Sequence, residues 1–136
     1  MPRIHPIAGL AALLLALSPA RAEERQAEVD SQIEGPVRCA SVYTFFSVFV
    51  GKDNPKGMEA LTEAALRFLE HASDLPPKNE QLVSERFVAN NDALLTILTA
   101  PDDRKAAIAE LGVELKACAD TEKQIFGSSV RERLNP

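Results

Sequence analysis

Between residues 37 and 127 the apolar positions recur at spacings of three and four, the period of helices that each bury one face. From Val37 to Val50 the chain is almost continuously apolar. Its β-branched and aromatic content suits a strand too, but its length and its helical neighbours favour a helix. Cys39, Val42, Tyr43, Phe46, Phe49 and Val50 then share one stripe, while Phe45 and Val48 fall off it beside Ser41, Thr44 and Ser47. A helix apolar beyond one face is either central to its fold or part of an interface. Gly51-Lys52-Asp53 ends it.

Asn54 and Pro55 open a second helix as N-cap and first residue, and it runs to about Ser73. Met58, Leu61, Ala65, Phe68, Leu69 and Ala72 form its buried stripe, and Glu63 and Arg67 are spaced to pair on its wet face. Leu75-Pro76-Pro77 stops it. A third helix begins near Asn79 with Val83, Phe87, Leu94 and Leu98 in register. Its stripe lands on Asn90 or Asn91, which predicts a helix break with Asn as cap. The alternative is a buried polar pair that fixes register or lines a pocket. Ala100-Pro101 ends the segment, and Thr99 with Asp102 has the spacing of a capping arrangement. The fourth helix runs to about Phe126 with Ile108, Leu111, Leu115, Cys118 and Ile125 aligned, and Gly127-Ser128-Ser129 terminates it.

Ahead of the helices lie two different segments. Arg3, the apolar run from Ile7 to Leu17 and Ala20-Arg21-Ala22 have the charge, core and A-x-A site of a secretory signal peptide, residues 1–22, cleaved before Glu23. The run is about half the roughly 20 residues a membrane-crossing helix needs. Residues 23–36 read as a polar lead-in, with only Val29 and Ile33 on a helical face and Gly35-Pro36 as a break. Residues 37–127 form one helical domain, and 128–136 a fraying tail.

Export changes the reading of the two cysteines. In an oxidising compartment Cys39 and Cys118 are expected to pair. Short loops make successive helices antiparallel, giving an all-α, up-down-up-down four-helix bundle with the start of the first helix beside the end of the fourth. A disulfide-stapled bundle therefore satisfies the helix pattern and the cysteine positions together.

Charge narrows the partners. The chain carries a net −5, and loss of Arg3 and Arg21 with the leader makes the remainder two units more acidic. Such a surface repels phosphate backbones, and no basic stripe interleaves with aromatics, so nucleic acid is not an expected partner. Once the leader is cleaved nothing predicts membrane attachment, and the localisation expected is periplasmic or secreted.

Candidate chemistry is sparse. His71 is the sole histidine beyond the leader, and with Glu70 and Asp74 it makes a poor zinc set, better read as a solvated helix end. Ser128-Ser129 lacks a nucleophile elbow, and Asp102-Asp103 suits a helix start. No phosphate loop, C-x-x-C pair or haem-attachment motif occurs, so no cofactor, metal or enzymatic activity is predicted. Tyr43, Phe45, Phe46 and Phe49 concentrate the aromatic content in one helix. Either that helix is simply core, or Ser41, Thr44, Phe45 and Val48 face a partner, by self-association or otherwise, or a small apolar ligand. The function expected is that of a non-catalytic protein binder of inhibitor, immunity or subunit type. The alternatives are a carrier of a small apolar ligand, with a pocket near Asn90 and Asn91, or an acid-stress periplasmic chaperone loosened by protonation of its carboxylates.

Overall fold

The structure, a computed structural model, describes residues 19–100 and 103–134, apart from the side chain of Leu98. Most of the expected leader, residues 1–18, lies outside the described residues, as does Asp102 of the expected Thr99–Asp102 capping pair. Among the described residues there are five helices and no strand: α1 Pro19–Gly51, α2 Pro55–Asp74, α3 Glu80–Thr99, α4 Arg104–Phe126 and α5 Val130–Leu134. The chain separates into two units at Ser31–Gln32. The described part of the first consists of the N-terminal turns of α1, largely exposed; everything below concerns the second.

Two expected helix breaks are absent. α1 continues through Gly35 and Pro36 without the break expected there. An interior proline costs about 3 kcal/mol. Here it is flanked by Ile33 and Val37, both buried against Ala72 and Val83. Each such burial returns about 1.5–3 kcal/mol, enough to hold the helix across the proline. α3 likewise runs unbroken through Asn90 and Asn91. Asn90 tolerates the helix because its amide donates to the carbonyl of Arg86, one turn back.

The helix ends agree better with the pattern. The Asn54 side chain accepts from the Gly57 amide, capping α2 ahead of Pro55. α4 begins with Asp103 at its cap, and Thr99 instead donates to its own helix at Thr96. Gly127 closes α4 in the left-handed conformation at φ 86°, where a side chain would be strained, and its N–H reaches the carbonyl of Lys123. Of the segment expected to fray, Ser129 and Val130 are buried, and residues 130–134 form α5.

α1 is the central helix, and from Val37 to Ser47 it is buried nearly all round. One cluster joins Cys39, Ala40 and Tyr43 of α1 to Leu61, Ala64, Ala65 and Phe68 of α2, Cys118 of α4 and Val130 of α5. Another joins Val42 and Phe45 to Leu94 of α3 and Leu111 of α4. Phe45 therefore belongs to the core, 7% exposed, and so does Ser41. The off-stripe residues are covered because neighbours pack on several sides of α1.

A disulfide joins Cys39 to Cys118 with their Cα atoms 5.4 Å apart. One turn further along both helices, Tyr43 meets Glu122. In an antiparallel pair, residues later in α1 would meet residues earlier in α4, so these two contacts do not follow that register. From Leu111 to Glu122, about 16 Å of α4, the partners on α1 stay within Arg38–Phe45, about 10 Å, and shift around its circumference. α4 thus crosses α1 steeply at this point. No helix among the described residues is long and apolar enough to cross a membrane.

Candidate functional site

The buried stripe of α4 carries one charged residue. Leu111, Leu115, Cys118, Glu122 and Ile125 follow one another at spacings of three and four, and Glu122 is fully buried. A buried carboxylate is tolerable only when its oxygens are occupied and its charge is answered. Here Oε1 accepts from the Tyr43 hydroxyl at 3.0 Å and from the Val130 amide at 2.8 Å. Oε2 accepts from Nη2 of Arg133 at 2.9 Å, and that ion pair supplies the opposite charge. One side chain on α4 thereby holds α1 and both ends of α5. Burial, followed by the charge of Glu122 and the hydrogen bond to it, raises the Tyr43 phenol far above its ordinary range.

α5 is shaped by its own sequence. Ser129 and Glu132 form a capping box: the Glu132 amide reaches the Ser129 hydroxyl, and the Ser129 amide reaches the Glu132 carboxylate, each at 3.4 Å. Lys123 of α4 pairs with the same carboxylate at 2.6 Å. That contact holds Glu132 below the usual carboxylate range and Lys123 above the usual amine range.

Beside this cluster lies an open groove of about 780 Å³, walled by α2, α4 and α5. Leu61, Leu115 and Val130 present hydrocarbon to it, with Tyr43 behind, while Lys116 and Arg131 stand on its rim.

The residues singled out from the sequence are dispersed. Ser41 and Phe45 are interior, Thr44 is half-buried with its hydroxyl on the Ala40 carbonyl, and Val48 alone of the four is well exposed. Phe49, next to it, is partly exposed and stacks on Phe45 with ring centroids 4.9 Å apart. Asn90 and Asn91 are half-buried. Asn90 accepts from Arg38 at 3.3 Å, and Arg38 also forms a two-pronged pair with Glu114. This network ties α1, α3 and α4 and occupies the place where a pocket was expected; the groove lies elsewhere.

His71 packs edge-on to Phe126 at 5.8 Å, and Arg67, spaced to pair with Glu63, instead lies over the Phe126 ring at 4.4 Å. No group of three metal-ligating side chains comes together among the described residues. Ser129 serves as the α5 cap. The sequence reading passed over this cluster, although two signals could have found it: a glutamate in register on an apolar stripe, and the spacing Ser129-x-x-Glu132. Arg133 carried none, because its role depends on how the chain turns at Gly127. Comparison of the chain with protein-family models, with curated proteins and with solved structures returned no match.

Proposed function

We propose that this chain is an exported, non-catalytic helical protein whose role is to bind another protein, as an inhibitor, immunity factor or subunit. The observation that carries the reading is the end of α1. After a stretch buried nearly all round, Val48 is 72% exposed and Phe49 41% exposed, and Phe49 packs against Phe45 and Phe46. An aromatic held rigidly from below, with an apolar neighbour in solvent, provides contact area at little entropic cost on binding. It is the kind of anchor that protein interfaces use.

The same proposal covers export and architecture. Residues 1–22 act as a cleaved leader, which delivers the chain to the periplasm or the exterior, where a Cys39–Cys118 bond persists. α1 to α4 make up a four-helix bundle around α1, with α4 crossing it steeply where the disulfide lies.

Native mass spectrometry of protein purified gently from its own compartment tests the reading, with the Val48→Glu/Phe49→Glu variant beside wild type. A dimer or hetero-complex that the variant loses, at unchanged helix content, supports it. A bare wild-type monomer, or a complex indifferent to both substitutions, removes it. The mass of the monomer also reads cleavage after Ala22 directly.

A further inference from the structure

We infer that the groove between α2, α4 and α5 binds a small amphipathic anion: an apolar chain or ring bearing a single carboxylate or an equivalent anionic head. The site is distinct from the exposed end of α1 and does not depend on the protein-binding role. Its volume of about 780 Å³ lies within the range of small-molecule pockets. Its hydrocarbon comes from three elements, Leu61 of α2, Leu115 of α4 and Val130 of α5. Apolar lining of this kind favours an apolar body.

The charges on the groove select the head. Lys123 and Glu132 also line it, but they neutralise one another at 2.6 Å. Of the rest, Asp120 is the one carboxylate against two cations, Lys116 and Arg131. Among the described residues neither cation has an ion pair. The groove thus keeps a positive excess in a chain whose net charge is −5. Cations on the rim of an apolar groove are placed to meet the anionic head of a ligand whose body the groove holds. One anionic head matches the excess of one cation; a polyanion would meet Asp120 and Glu132. The α5 wall is anchored from behind, since Glu122 holds the Val130 amide and Arg133. The groove is therefore preformed, and binding spends little on ordering it.

The test titrates the full chain with decanoate by calorimetry, with decanol and decyltrimethylammonium as neutral and cationic controls. Saturable decanoate binding is expected, with shifts in the ring signals of Tyr43 and the methyl signals of Leu61, Leu115 and Val130. Lys116→Glu/Arg131→Glu, both at exposed positions, should weaken decanoate at least about tenfold without lowering the melting temperature. The Val48→Glu/Phe49→Glu variant should bind decanoate as wild type does, which separates this site from the proposed protein interface. Absence of saturable binding, equal affinity for decanol, indifference to the charge reversal, or shifts confined to the end of α1 would each overturn the inference.

Discussion

The Tyr43 hydroxyl donates to Glu122 one helical turn beyond the Cys39–Cys118 disulfide on both helices, so a covalent and a polar tie join α1 to α4 at adjacent turns. The polar tie extends further than the covalent one. Through the Val130 amide and Arg133, the same carboxylate seats α5, which in turn forms a wall of the groove. Stability of the core and integrity of the candidate site are therefore linked through one side chain.

Removing that side chain should show the link. Glu122→Ala strands the Tyr43 hydroxyl and the Val130 amide in the interior and leaves Arg133 without its partner. A loss of about 3 kcal/mol or more is expected in urea unfolding. Glu122→Gln keeps an acceptor but loses the charge, and should cost about 1–2 kcal/mol. In both variants the Val130 amide should exchange with solvent faster than in wild type; protection equal to wild type would mean that α5 is held by something else.

The disulfide closes a loop across 79 positions of sequence, for which chain entropy gives a contribution of about 4–5 kcal/mol. Cys39→Ala/Cys118→Ala should lower the melting temperature by more than about 10 °C. A double variant that melts with wild type would show that the core clusters hold α1 and α4 together unaided.

Alkaline titration should act through Tyr43. Its folded-state pKa is raised, so below the ordinary value of 10.0 the phenol is neutral in both folded and unfolded chains and its contribution is fully present. As pH climbs above that value the unfolded chain ionises first, binds fewer protons than the folded one, and stability falls. Tyr43 is the only tyrosine and there is no tryptophan, so tyrosinate absorbance reports this residue alone. Its appearance should coincide with loss of helical signal. An absorbance change near pH 10 that precedes unfolding would contradict the buried hydrogen bond. Glu132 has the opposite sign: its lowered pKa gives a contribution present above 4.5 and lost as pH falls through the folded value, small because the side chain is exposed.

Ser41 offers a gain. Its hydroxyl is fully buried and has no hydrogen-bond partner among the described residues. Ser41→Ala removes that unsatisfied group and should raise stability by about 1 kcal/mol, seen as a higher urea midpoint with an unchanged slope. A lower midpoint would mean that the hydroxyl is satisfied in solution.

Four helices, most of their stripes (Phe49 and Met58 are exposed), the Asn54 cap, the Gly127 stop and the cysteine pair were legible in the sequence, because each follows from local propensity or from a period that repeats over many turns. The breaks expected at Gly35-Pro36 and at Asn90-Asn91 followed from the same local rules and did not occur. At the first, burial of Ile33 and Val37 outweighs the proline; at the second, Asn90 bonds within its own helix and to Arg38. Whether Ser41 and Phe45 are core or interface stayed open in the sequence, because a single stripe cannot show how many neighbours surround a helix.

By itself the sequence determined the all-helical class and the ends of α2 and α4 at Asn54 and Gly127, since backbone hydrogen bonding and helix capping act over four or five neighbouring residues. Only the tertiary structure decided that α1 lies at the centre, that α4 crosses it so that Tyr43 meets Glu122, and that α5 packs back to wall a groove. Those outcomes depend on contacts between positions far apart in the chain, such as Tyr43, Leu61, Glu122 and Arg133, whose energies no local window contains.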